Sequence, residues 1–280
     1  MSRAEEGVQR TSRRRTLGVL LVGALATLIA VGGVAANPQP AQANSKKVVI
    51  VVGATGSTTS SYRSIGRSLA RQARSYGARV ITVFSPYATW SRVKSAAYHA
   101  NLLIYLGHGN GWPSPYAPFQ TRTKDGMGLN SALTGSDYNT EYYGERFLNT
   151  NLHLARNSVV LLSHLCYASG NPEWGGPIPG LSTAKARVDN YGAGFLRTGA
   201  KAVIAEGLAS GHYLLRGLFK TNWTLKRIFW SSNDATGTYA VHFAATRSPY
   251  WAHALMDPSK PGRYYRSIIG KLGMRASAWR

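Results

Sequence analysis

A thiol and a glycine-flanked imidazole are the residues of this chain best suited to attack a carbonyl. Cys166, the sole cysteine in 280 residues, follows an apolar run (residues 159–170, VVLLSHLCYASG) and is itself followed by small turn-forming residues. The same design stands upstream in residues 102–111 (LLIYLGHGNG), where His108 lies between two glycines. A strand that stops at a thiol, beside another that stops at an imidazole, makes a Cys–His nucleophile pair the leading expectation. A free thiol has a pKa of roughly 8.5, and a neighbouring imidazole lowers it to yield the attacking thiolate. The oxyanion that forms needs donors aimed at it. The backbone N–H groups of Gly109 and Cys166 would supply them if the two strands are neighbours.

The elements that must position these groups follow from periodicity. Residues 46–52 read as a buried strand, 62–77 as a helix ending at Gly77, and 78–84 as a second strand. A helix over 89–100 and a third strand over 102–106 complete the first half. This alternation specifies an α/β fold with a mostly parallel sheet and right-handed crossovers. Residues 110–157 form a long Pro- and Gly-bearing insertion, with a short helix within 141–151. Loops of that length inside a domain are usually functional. A fourth strand over 159–165, a helix near 183–198, a fifth strand over 199–205 and helices within 211–231 follow. Residues 248–261 read as a loop and 264–269 as a sixth, edge strand.

The order of a strand ending in Gly-His-Gly and a second ending in Leu-Cys-Tyr-Ala-Ser-Gly resembles the caspase-fold cysteine peptidases, including gingipains and CHAT-type bacterial relatives. Residues 192–204 (GAGFLRTGAKAVI) are similar to the helix–Gly-Ala–strand segment after the cysteine in the CHAT-type group. The likeness spans roughly residues 46–209. It implies a three-layer α/β/α sandwich, Cys166 as nucleophile, His108 as general base and acid, and the Gly109 and Cys166 amides as oxyanion donors. The chain departs from that pattern in carrying Ser163-His164-Leu165 before the thiol and in lacking a caspase-like pentapeptide around it.

Other candidates are weaker. His164, two residues before Cys166, would face the same way as the thiol in a strand; it reads as a hydrogen-bonded core or helix-facing histidine inside the strand, with a second imidazole near the thiol as the alternative. The remaining histidines lack metal-ligand spacing, so neither a metal nor a cofactor is expected. Residues 53–56 (GATG) resemble a dinucleotide-binding turn, but the third glycine is missing and Ser85-Pro86 stands where an acidic residue would be needed. Among the scarce acids Glu206, just past the fifth strand, is the first candidate to hold a basic substrate group, followed by Asp125, Asp137 and Glu141.

The N-terminus reads as an address. Three arginines (Arg13, Arg14, Arg15) precede an uncharged apolar stretch over 17–36, and Ala41-Gln42-Ala43 offers a signal-peptidase site. Residues 1–43 are thus expected to be a twin-arginine-like export signal, with a retained anchor as the alternative, and 44–280 the domain. The chain carries 33 basic and 11 acidic residues. Five and two of these lie in the leader, leaving +19 on the 237 residues after it. A secreted or cell-surface protein so basic is drawn to anionic wall polymers or membrane surfaces. No motif for specific nucleic-acid recognition accompanies the charge. Two functions follow: an exported cysteine peptidase acting on a peptide or protein substrate, or a non-catalytic basic surface protein that holds anionic wall polymers.

Overall fold

Runs of β-branched and leucine residues build the centre of the molecule. In the computed structural model, which describes residues 45–280, eight strands form one sheet. The elements in chain order are β1 (Lys47–Val52), α1 (Thr59–Ser75), β2 (Arg79–Phe84), α2 (Trp90–Ala97) and β3 (Leu102–Leu106). A small hairpin follows, β4 (Met127–Asn130) and β5 (Thr140–Tyr143), then α3 (Glu145–Asn151), β6 (Ser158–Ser163), α4 (Leu181–Leu196) and β7 (Ala200–Glu206). The chain ends with α5 (His212–Lys220), α6 (Leu225–Trp230), β8 (Val241–Ala244), β9 (His253–Met256), β10 (Arg266–Gly270) and α7 (Ala276–Trp279). Sheet order is β2-β1-β3-β6-β7-β10-β9-β8. The first five are mutually parallel; β10, β9 and β8 are added antiparallel.

The sheet is covered on both faces, which is why its central strands run as nearly continuous apolar segments, polar only near their ends. On β1, Val48, Ile50 and Val52 face a layer with α1, α5, α6 and α7, whereas Val49 and Val51 face α2, α3 and α4. The fold is therefore an α/β/α sandwich, as expected. All five residues of β3 and all six of β6 are buried. Each large side chain so enclosed contributes roughly 1.5–3 kcal/mol. Gly66 lets α1 lie close on the sheet, since a Cβ there would stand 3.0 Å from the Phe84 ring. Gly77, at φ +82°, ends that helix turn.

Four expectations need correction. The fourth strand stops at Ser163, not Leu165, because His164 turns the chain at φ 63°. The sixth strand is not an edge: β10 lies between β7 and β9, and the edges are β2 and β8. The segment read as a loop over 248–261 contains β9, and β8 was not foreseen. Within the long insertion, β4 and β5 pair as a hairpin instead of irregular chain. The proposed export signal lies outside the described residues. Among the described residues no helix is long and apolar enough to cross a membrane.

Candidate active site

Parallel pairing brings the two proposed groups to the same rim of the sheet. β3 and β6 are adjacent, in a register that sets Leu106 against Ser163. His108 is thus two residues and Cys166 three residues beyond neighbouring strand ends, the side of a parallel sheet where ligands bind.

The glycines beside His108 are required by room, not by backbone sign. Neither adopts positive φ. A Cβ on Gly107 would overlap the Tyr105 hydroxyl at 2.2 Å, and one on Gly109 would stand 2.1 Å from the Cys166 carbonyl oxygen and 2.8 Å from the Tyr191 hydroxyl. The backbone of the histidine loop therefore lies directly against the backbone at Cys166. Beneath it, the Tyr105 hydroxyl accepts the Gly128 N–H (2.8 Å). Its one proton is shared between the carbonyls of Gly128 (2.7 Å) and His108 (3.0 Å). His108 itself is exposed, with its Cβ 3.2 Å from where a methyl on Gly128 would sit. Partial desolvation holds its pKa below the ordinary imidazole value, so the ring is neutral at pH 7.

The thiol sits in a tight turn. Tyr167 has φ 70°, and the Cys166 carbonyl accepts the Ala168 N–H at 2.9 Å. Cys166 is half-buried. Burial pushes its pKa up, the Trp174 backbone N–H pulls it down, and the Glu173 carboxylate pushes it up again, with a net rise. Among the described residues no hydrogen bond joins the imidazole to the sulfur. Near neutral pH the thiol and the imidazole are thus both uncharged.

His164 does not lie inside a strand as expected. Its ring packs on Tyr62 of α1 (5.3 Å between centroids), with Nδ1 2.8 Å from Ser163 Oγ, and it serves the helix side of the sheet. Glu206 does not face a cleft. Its carboxylate is fully enclosed, paired with Arg266 Nε at 3.0 and 3.2 Å directly across the β7–β10 register, and accepts the Tyr213 hydroxyl. No side remains for a substrate cation. Asp137 is paired with Arg63, and Glu141 accepts the Tyr143 hydroxyl. Asp125 is buried behind the histidine loop rather than beside the thiol.

Residues not foreseen complete the site. Arg187 of α4 donates to the carbonyls of Pro113 (2.7 Å) and Asn171 (2.9 Å) and stacks over Tyr167 at 4.7 Å. It ties the loop after His108 to the loop after Cys166. Glu173, seven residues past the thiol, accepts the Tyr116 hydroxyl at 3.0 Å. Both partners are far apart in sequence, so no local motif could have signalled them.

No family model matches this chain, and no curated protein matches it. Solved structures similar to it include two of gingipain. The crystal structure of the Arg-specific cysteine proteinase gingipain R (RGPB) shares 14% identity, with 83% of this chain and 62% of that chain covered and a TM-score of 0.34. The complex of Porphyromonas gingivalis RgpB pro- and mature domains shares 14% identity, covers 83% and 63%, and has a TM-score of 0.33. The chain spans somewhat over three-fifths of those chains.

Proposed function

We propose that this chain is an exported cysteine peptidase of caspase-like fold, with Cys166 as nucleophile and His108 as general base and acid. The observation that carries the reading is the close approach of Gly109 to the Cys166 carbonyl at adjacent parallel strand ends. As Sγ bonds to the substrate carbonyl carbon, neutral His108 takes the thiol proton. The Gly109 and Cys166 amides receive the oxyanion; among the described residues neither donates to a backbone carbonyl. His108 then returns the proton to the leaving amine as the C–N bond breaks. Water, deprotonated by the same imidazole, then bonds to the thioester carbon; the C–S bond breaks, the acid product leaves, and His108 returns the proton to Sγ.

Hydrolysis of a diverse peptide library by the purified 44–280 domain tests this. Some members should be cut by the wild type and none by Cys166→Ala. Cleavage that persists in Cys166→Ala, or a library left intact by the folded wild type, overturns it. In the same reading, cells producing the full chain export a product that begins at Asn44.

The charge supports a second reading, in which the domain holds anionic wall polymers without catalysis. Five of the 11 acids are tied up in ion pairs or in backbone donors: Asp137, Glu145, Glu206, Asp257 and Asp189. The excess arginine and lysine is therefore uncompensated. Salt-sensitive binding to wall fractions that is unchanged in Cys166→Ala supports this reading, and binding indifferent to ionic strength contradicts it.

A further inference from the structure

Behind the histidine loop lies a carboxylic acid that the chemistry above does not use. Asp125 is wholly buried, at φ 60°. Its N–H donates to the Asn110 carbonyl at 2.9 Å, and its Oδ1 accepts the Trp112 N–H at 3.0 Å. One residue on each side of Gly111 is therefore fastened to the same aspartate. Neighbouring contacts repeat the clasp: Asn110 Nδ2 donates to the Thr123 carbonyl (3.1 Å), and Lys124 Nζ donates to Asn110 Oδ1 (2.8 Å). From the opposite side Tyr191 of α4 closes against the loop, its hydroxyl 2.8 Å from where a Cβ on Gly109 would sit. Among the described residues, Asp125 Oδ2 and the Tyr191 hydroxyl have no hydrogen-bond partner. A buried carboxylate oxygen left without a donor is costly if charged and far less so if protonated.

We propose that Asp125 is a positioning residue, whose buried carboxyl holds the loop bearing His108 in register with Cys166. This rests on the reading of His108 as the base. The carboxyl works as the neutral acid, accepting one N–H without placing an unpaired charge under the loop. Burial, joined by the like charge of Glu145 on α3, raises its pKa to about 8. The Trp112 N–H, Arg247 and Lys124 oppose that rise. Tyr191 on α4 faces the same space, and its own pKa is raised by burial first and then by Asp125. Above pH 8 the charge is relieved by letting water under residues 110–112, and the imidazole leaves its place.

Two readouts separate this inference from the peptidase reading. In turnover, Asp125→Leu should lower kcat/KM by about 100-fold, the scale set by a misplaced catalytic group. Asp125→Asn, which keeps an acceptor for Trp112 and cannot ionise, should recover most of that loss and abolish the alkaline limb of the pH profile near 8. Amide hydrogen exchange of residues 110–112 needs no substrate. Their protection should fall between pH 7 and pH 9 in the wild type but not in Asp125→Asn. A library left uncut with this protection pattern intact sinks the peptidase and leaves the clasp standing. Protection independent of pH in the wild type, or an Asn variant as impaired as Leu, overturns the clasp. Should Asp125→Leu fail to fold, the Asn pH profile and the exchange measurement decide alone.

Discussion

Asp189 and Asp125 are both buried and both have Arg247 for a neighbour, yet the molecule treats them in opposite ways. Asp189, on α4, receives the backbone N–H groups of Thr246, Arg247 and Ser248 at 2.7–2.9 Å, together with the Thr246 hydroxyl. Burial would raise its pKa, but those donors win and hold it below the ordinary carboxylate value. Asp125 has a single backbone donor and one orphaned oxygen, and burial carries its pKa to about 8. The first is a charged staple between a helix and a loop that carries no proposed chemistry. The second sits under the loop that carries the proposed base. A saturated carboxylate secures structure, whereas an under-coordinated one is a place where protonation can alter geometry.

Removing each side chain should break the two regions differently. Asp189→Ala strands three backbone donors and should cost about 3 kcal/mol of stability by urea denaturation, since hydrogen bonds to a charged group are the strong ones. A loss under about 0.5 kcal/mol, the scale of ordinary surface changes, would show that water replaces the staple. The pH dependence of stability comes next, and the two aspartates act with opposite sign. For Asp189 the folded pKa is depressed, so its contribution is present above 3.8 and is lost as pH falls through the folded value. For Asp125 the folded pKa is raised, so stability is lost as pH rises from 3.8 to about 8. Asp189→Asn should remove the loss at acid pH, and Asp125→Asn the decline between 3.8 and about 8. A swap of those assignments in thermal melts would refute the contrast.

The smallest effect is expected where the regions meet. Arg247 bonds Glu145 (2.7 Å) and Asn190 (2.9 Å) through its side chain while its N–H serves Asp189. Its head is partly exposed, so Arg247→Met should cost no more than about 1 kcal/mol. It should also move the Asp125 breakpoint upward, because a cation is lost and the Glu145 carboxylate is freed from it. A downward move, read from the pH at which that decline ends in the same melts, would mean that Arg247 does not act on Asp125.

Much of the frame was legible because the sheet is buried on both faces. β3 is found at the residues expected, Leu102–Leu106, where five apolar positions run to a glycine. β6 overshoots in sequence because Leu165 continues the apolar run, and nothing local announces that His164 turns at φ 63°. β8 escaped notice because it is short and only half-buried at alternate positions. β4 carries Gly128 where a strand former would be expected, since a side chain there would press on Thr140, Tyr142 and His108. The adjacency of the strands bearing His108 and Cys166 was only a condition in the sequence, since a hairpin and a helix lie between them, and the β3–β6 register supplies it. The fate of the acids was not legible at all. Glu206 meets Arg266 from 60 residues away, and Asp125 is defined by backbone groups 13 to 15 residues upstream.

The central claim, that Cys166 and His108 act on one another, is met most directly by mass spectrometry of the thiol. A library of peptidyl acyloxymethyl ketones would be offered at pH 7 to the wild type and to His108→Ala. The account predicts a single covalent adduct on Cys166 that forms at least about 100-fold more slowly without the imidazole, the scale of general-base assistance. Equal rates in the two proteins, or a thiol that reacts only after denaturation, would contradict it.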